Sequence, residues 1–517
     1  MMLDFLFITS PTNARSPHPP YYFLNLAAYL RDKGLKVRII DVKGGDQPND
    51  IERHYATIRE NLRRVPSAFV GLAAFSSDFP AVMRLGKIVK EEQPFTTLLV
   101  GNVHATIAPE DFLYQGSSFD VAVLGEGEET CLELAANLLF SRSSEELVGS
   151  WIPKLSRVKG IAYASVSGIF KTQPRPFMDL NNQPIPAYDL VDTGWYLRPQ
   201  KSVIRRVYTS TIAVFAGRGC PFDCHFCCAN AVWKANTGRA ARLRPVKRVA
   251  GEIAHLRERY KIDFFYLFDD MFGVSKRWTE EWFEEKRTWS PIRGIPYACQ
   301  TRADVVTEQM VRSLKESGCI QLDIGVETGV QRLLDGVNKG ITLQQIRDVF
   351  RWCRKYGLRS FATMLLNLPT ETEQDLRQTR EFLEEISPSA GSIFSVTTPY
   401  PGTKIYEDHC HPRLSKDEYP LLLNNRLNPI GRFRLSTHRR DLEKLSDDWN
   451  RHFLATPMFE RMWCLRPFQP LYWKSVFRSK RLFSYVMCWL KDVPKTFCLW
   501  WLHKLGLYRF LKRIQYR

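Results

Sequence analysis

Short apolar runs alternate with helical stretches twice along this sequence, once before about residue 145 and again from about residue 206 to 405. That rhythm confines the chain to parallel sheets flanked by helices. In the first train, Phe5-Leu-Phe-Ile-Thr9, Val37-Arg-Ile-Ile-Asp41, Ala68-Phe-Val-Gly-Leu-Ala73, Thr97-Leu-Leu-Val-Gly101 and Val121-Ala-Val-Leu-Gly125 read as strands, with helices at Tyr22 to Lys33 and Ala81 to Glu92. The pattern predicts an α/β domain over residues 1–145, a doubly wound, flavodoxin-like sheet whose ligands sit at the carboxyl ends of the strands. Ser10, Asp41, Ser76, Gly101, His104, Gly125 and Glu126 fall at those ends, and His104 taken alone reads equally as a satisfied loop histidine.

The second train holds six strand–helix units, with strands at Thr211-Ile-Ala-Val-Phe215, Phe264-Phe-Tyr-Leu-Phe268, Pro296-Tyr-Ala-Cys299, Ile320-Gln-Leu-Asp-Ile324, Phe361-Ala-Thr-Met-Leu-Leu366 and Ser392-Ile-Phe-Ser-Val396. It predicts a partial, TIM-like (β/α)6 barrel over residues 206–405, with its chemistry at the carboxyl ends. Residues 146–205 read as a connector with a hairpin near Gly160 and Gly168 and proline-rich crossings at Pro174 and Pro184. Residues 406–517 read as a basic, aromatic, mainly helical region.

Directly after the first barrel strand stands Cys220-Pro-Phe-Asp-Cys224-His-Phe-Cys227. Three thiolates at this spacing on one loop can ligate three irons of a [4Fe-4S] cluster and leave the fourth open. A structural zinc loop is the alternative, with His225 or Cys228 as fourth ligand. Cys228 also offers a second frame from Cys224, but Cys227 places the aromatic Phe226 between the last two ligands. Further polar groups follow at the successive strand ends: Asp269 and Asp270, then Arg302, then Gly325 and Glu327, then Leu366-Asn-Leu-Pro369-Thr-Glu371 and Thr398-Pro-Tyr-Pro-Gly-Thr403. Zinc binding explains none of them.

In this order the motifs resemble the radical S-adenosylmethionine (SAM) enzymes over about 200 residues. The resemblance implies that the open iron chelates the methionyl amine and carboxylate of SAM, and that an electron, from a donor such as flavodoxin or ferredoxin, then releases a 5′-deoxyadenosyl radical. It further implies that Phe226 lies against the adenine, Asp269 and Asp270 accept from the methionyl ammonium, Arg302 pairs with the carboxylate, Gly325 permits close approach and Glu327 binds the ribose hydroxyls. Asn367 and Thr370 depart from residues more often glycine in relatives.

The first domain resembles the cobalamin-binding domain that precedes the barrel in one branch of these enzymes, through Val100-Gly-Asn-Val-His-Ala-Thr106, Pro109-Glu110 and Gly125-Glu-Gly-Glu128. The axial-histidine motif of cobalamin proteins would begin at Asp41, where this chain has Lys43 and Asp46 at the His and Gly positions, and Asn102-Val103 replaces a usual second glycine. Either the corrin binds without that histidine, as the branch permits, or the domain is a flavodoxin-like unit that only docks on the barrel. The combination resembles class B radical methyltransferases and ring-closing relatives such as the anaerobic porphyrin ester cyclase. It implies cobalamin-dependent methylation of an unactivated carbon. The alternatives are radical cyclisation or rearrangement with the same cofactors, and a non-catalytic iron–sulfur sensor or membrane-associated binding protein.

The formal net charge is +18, and residues 461–517 hold thirteen Lys or Arg against the single acid Asp492. Nucleic acid or an anionic membrane surface can attract such a tail. Trp463, Trp473, Trp489, Trp500 and Trp501 favour the bilayer interface, while the uncharged run Leu482 to Leu490 is too short to span. The expectation is peripheral contact with the inner face of the membrane and a lipid or isoprenoid substrate. A basic helical cap on the barrel is the alternative. Twelve cysteines without a framework, and a start lacking a basic leader segment, point to the cytoplasm and low oxygen.

Overall fold

The computed structural model describes residues 2–11, 16–44, 50–139, 152–205, 207–425, 433–454 and 470–491. The first sheet is built from β1 (Leu3–Ile8), β2 (Val37–Ile40), β3 (Ser67–Ala73), β4 (Thr97–Gly101), β5 (Val121–Val123), β6 (Ile161–Ser165) and β7 (Gly168–Lys171). Its order is β2-β1-β3-β4-β5-β6-β7. The first five strands are parallel, with Phe5 opposite Val37 on one side and Phe69 on the other. All seven residues of β3 are buried, as a strand covered by helices on both faces requires. The hairpin β6–β7 joins antiparallel at β5, so the sheet has two strands beyond the five expected; they cover an edge that β5 would otherwise leave unpaired.

The chain continues through β8 (Arg175–Pro176), β9 (Thr211–Val214), β10 (Gly217–Arg218), β11 (Asn236–Thr237), β12 (Arg242–Leu243), β13 (Phe264–Leu267), β14 (Tyr297–Thr301), β15 (Cys319–Glu327), β16 (Arg359–Leu366) and β17 (Gly391–Val396). Six of these form the parallel sheet β17-β16-β15-β14-β13-β9, the partial barrel expected, open between β17 and β9. The two-residue strands pair as β8 with β11 and β10 with β12, stitching the loop that follows β9.

Local signals set the covering helices. Helix Leu343–Tyr356 starts at a capping box of Thr342 and Gln345, ends at left-handed Gly357, and buries Ile346, Val349, Phe350 and Cys353 at helical spacing. One helix ties the two domains: Tyr21 and Leu24 of Tyr21–Asp32 lie in the barrel core, and the Tyr21 hydroxyl accepts from the Ala213 N–H at 2.7 Å.

After β17 the chain folds back twice. Tyr406, Leu414, Tyr419 and Leu422 pack into the core of the first domain. Helix Leu442–Leu454 lies on β17, with Trp449 edge-on to Phe394 at 4.8 Å. Helix Pro470–Phe477 and a helix over residues 482–491 then close the amino-terminal ends of the barrel strands, where Tyr472, Val476 and Tyr485 pack on Val203, Ile204, Val207 and Phe264. Trp463, Trp500 and Trp501 lie outside the described residues.

Candidate functional site

The cysteine loop leaves β9 through Gly217 and Gly219. Gly219 has φ +83°, and a Cβ there would stand 2.3 Å from the Ala240 carbonyl oxygen, so only glycine fits. Asp269 accepts from the Gly217 N–H at 2.8 Å and Asp270 from the Gly219 N–H at 3.0 Å. Both carboxylates at the end of β13 thus hold the root of the loop. Burial raises both, Asp269 to about 7.

Cys220, Cys224 and Cys227 are free and half-buried. The Cys227 N–H turns back onto the Cys224 carbonyl at 3.0 Å, and the His225 backbone is pinned between Val337 and Ile405. Burial lifts the Cys220 thiol and pushes Cys227 up to about 11, so metal binding here must displace protons. Cys228 lies near the Tyr400 hydroxyl. Among the described residues no three Cys, His, Asp or Glu side chains converge as a mononuclear zinc site needs. In a cubane each thiolate takes its own iron, so its sulfurs stand apart.

Arg302 is buried and engaged on every side. It forks onto Asp304 at 3.1 and 3.2 Å, donates to Cys224 Sγ at 3.3 Å and to the Lys339 carbonyl, and stacks on Phe222 at 3.6 Å. Glu327, at the end of β15, adopts φ +67° and accepts from Lys339 Nζ at 2.6 Å, both groups being buried. Lys339 lies 5.7 Å from the Phe226 ring, which brings the cysteine loop and the fourth strand end together. A Cβ on Gly325 would stand 2.8 Å from both Glu327 Oε1 and Lys339 Nζ, so glycine makes room for the pair. Asn367, at φ +65°, accepts from the Leu435 and Ser436 N–H groups and donates to the Thr397 and Phe433 carbonyls. The fifth strand end therefore clamps the segment after the barrel.

A cavity of about 600 Å³ lies across the carboxyl ends of the first sheet and reaches the barrel at Gly217, Arg218 and Asp270. Asp41, Gly101, Gly125 and Glu126 line it; Ser10, Ser76 and His104 do not. His104 is fully buried between Ser76 Oγ, 2.7 Å from Nδ1, and Asp111 Oδ2, 3.1 Å from Nε2, with Tyr419 edge-on at 4.5 Å. Ser10 is buried against the Ala73 carbonyl. Asp41 accepts from the Tyr196 hydroxyl at 2.6 Å and from Thr9 at 3.1 Å. Lys43 lines the same space with Nζ 3.5 Å from Asp78, so the axial-ligand position offers an ammonium already paired, not an imidazole. Glu126 receives Arg218 at 3.0 Å and Arg242 at 2.7 Å, joining the sheet to the loop after β9. Gly125 has φ +71°, and a Cβ there would strike Asn236.

Sequence reasoning missed Lys339, Arg218 and His18. His18 lines the cavity with its ring 5.2 Å from Phe268; burial, then the nearby Arg205, lowers it to about 4, leaving a neutral imidazole. Its signal was its place in Pro17-His-Pro-Pro20 after β1, another strand end. The mouth thus offers three thiols on a braced loop, and the sheet offers an apolar seat with glycines at its rim and no imidazole at the motif position. These fit an iron–sulfur cluster and a corrin bound without that ligand.

Comparison with known proteins agrees. Residues 214–383 match the family model of the Radical SAM superfamily, and residues 12–135 match that of the B12 binding domain. An uncharacterized methyltransferase of Pyrococcus horikoshii is 27% identical over 390 residues, 75% of this chain and 78% of that protein. The anaerobic magnesium-protoporphyrin IX monomethyl ester cyclase of Rubrivivax gelatinosus is 27% identical over 398 residues, 75% of this chain and 66% of that one. In fold, the chain resembles the radical SAM methyltransferase TsrM of Kitasatospora setae, solved with cobalamin and a [4Fe-4S] cluster, at TM-score 0.60 and 16% identity over 80% of this chain and 76% of that one. The barrel is a radical SAM domain. A B12-binding domain precedes it, and the two domains together imply SAM, a [4Fe-4S] cluster and cobalamin as cofactors.

Proposed function

We propose that the protein is a radical SAM C-methyltransferase acting on an unactivated carbon of a hydrophobic small molecule. One observation carries this reading: the cavity at the sheet's carboxyl edge runs to Arg218 and Asp270, and Asp270 holds the loop one residue before Cys220, so the corrin seat reaches the root of the cysteine loop. When bound, the cluster and SAM supply a hydrogen-abstracting radical, and cobalamin supplies the methyl group.

The chain's own residues bind and orient. Cys220, Cys224 and Cys227 hold the cluster, and Arg302 positions Cys224. The Glu327–Lys339 pair and Phe226 would border SAM, with Glu327 as the acceptor for the ribose hydroxyls. Asp269 and Asp270 act on the loop root, with Asp270 also facing the chamber. Asp41, Gly101, Gly125 and Glu126 border the corrin. His18, Phe215, Phe268 and Trp233 wall the chamber on the barrel side, which favours an aromatic or isoprenoid substrate and excludes water from the radical. Flavodoxin or ferredoxin is the proposed electron donor. Radical ring closure is a second reading, supported by the similarity to the Rubrivivax cyclase.

Anaerobic turnover with methyl-labelled SAM and a lipid-soluble extract tests the reading. Release of 5′-deoxyadenosine with label in a product supports methylation. Release without label supports ring closure, and no release under strong reduction overturns both.

A further inference from the structure

The helix over residues 482–491 is apolar on two adjoining faces. One side, Leu482, Tyr485 and Trp489, packs on the barrel floor. The other carries Phe483, Val486, Met487 and Leu490 at i, i+3, i+4 and i+7, exposed by 75%, 37%, 38% and 62%. Phe477, 63% exposed, ends the preceding helix. An apolar stripe of this size left exposed beside a packed face calls for a cover.

Charge identifies the cover. Lys474, Arg478, Lys480 and Lys491 are exposed around the stripe, and residues 470–491 contain no Asp or Glu. None of the four has an acidic partner among the described residues. Arg481 is engaged with the floor, donating to the Lys261 and Tyr260 carbonyls at 2.7 and 2.9 Å. A second copy of this surface would meet it cation to cation. Residues 492–517 carry the same sign of charge, with six Lys or Arg against Asp492. An anionic surface complements the rim, and a bilayer interface accepts the Phe, Met and Leu tips at its centre. No helix among the described residues is long and apolar enough to cross a membrane, so contact would be superficial.

We propose that this face docks the protein on an anionic phospholipid bilayer. Tyr485 accepts from the Ser210 N–H just before β9 and Ser479 donates to Asp263 just before β13, so the face lies at the amino-terminal end of the barrel. The cysteine loop follows β9 at the other end. Docking therefore places the chamber away from the lipid: the contact localises the enzyme and does not feed substrate into the mouth. The inference stands on the surface alone and is independent of the proposed reaction.

Flotation of the full chain with phosphatidylcholine vesicles, with and without about one third phosphatidylglycerol, tests it. The protein should float only with the anionic vesicles and release as salt is raised to about 0.5 M. Phe483→Ser with Leu490→Ser should cut the bound fraction by roughly tenfold or more. Lys474→Glu with Lys480→Glu should abolish the preference for phosphatidylglycerol. Met487→Asp, a single exposed change, repeats the test should the double variant lose its parent melting temperature. Equal flotation with neutral vesicles, or undiminished flotation of the stripe variants, overturns the proposal. So does a parent dimer that the stripe variants convert to monomer without any vesicle binding.

Discussion

The two ends of the barrel use the same six strands to opposite purposes. At the mouth, non-glycine residues sit in left-handed backbone, Glu327 at φ +67° and Asn367 at φ +65°, beside a buried ion pair and half-buried thiols. At the floor, Tyr472, Val476 and Tyr485 seal the strand starts, with Tyr485 accepting from the Ser210 N–H at 2.7 Å and Tyr472 donating to the Tyr208 carbonyl at 3.0 Å. Strain and desolvated charge cost stability, so they persist where the surrounding structure fixes them. A packed floor sets the strands, and the mouth can then hold loops shaped for chemistry.

The largest effect should come from the mouth. Cys224→Ala is expected to drop iron content and reduce 5′-deoxyadenosine release to background while leaving the circular-dichroism spectrum unchanged. Lys339→Met should come next: it strands the buried Glu327 carboxylate and costs about 3–5 kcal/mol, read as a fall in the denaturation midpoint, with weakened SAM binding.

Changes at the floor should be smaller and spare catalysis. Tyr485→Phe removes the hydroxyl shared by Ser210 and Asp263 and should cost about 1–2 kcal/mol with unchanged SAM cleavage per folded enzyme. A catalytic loss with Tyr485→Phe would erase the distinction between the two ends. The smallest effect should be a gain. Lys286 is buried near Gly318 with no hydrogen-bond partner for Nζ among the described residues, its ammonium 5.6 and 5.9 Å from the Tyr297 and Phe265 rings, and burial lowers it to about 7. Below that pH the folded protein must bury the charge, and the penalty fades as pH rises from about 7 toward its ordinary 10.5. Lys286→Met should therefore raise the melting temperature by about 2 °C at pH 6, and by progressively less at pH 8 and 9.

What the sequence made legible was local. The cysteine spacing, the six strand starts and the glycine-rich strand ends all lie within a few residues of the structure they specify. His104 shows where that logic stops. Its position after β4 placed it at the ligand edge, but Asn102 turns through φ +76° and the helix Asn102–Ile107 directs His104 into the core, where Tyr419 packs on it. No local pattern announces a partner so far along the chain. Arg302 and the paired aspartates lie at the expected strand ends, yet their side chains are engaged with the loop itself. The ion pair of Glu327 with Lys339 depends on how a connecting loop folds back. Likewise, the basic aromatic tail suggested a lipid, but only its seat on the floor separates a membrane contact from a substrate route.

Metal and sulfide analysis of the anaerobically reconstituted full chain, with its absorption spectrum, tests the assignment of the mouth most directly. About four irons and four sulfides per chain, corrin bands beside a broad iron–sulfur shoulder, and loss of the iron alone when Cys220, Cys224 and Cys227 are replaced by alanine are expected. Zinc in place of iron, or iron content indifferent to those three replacements, would contradict it.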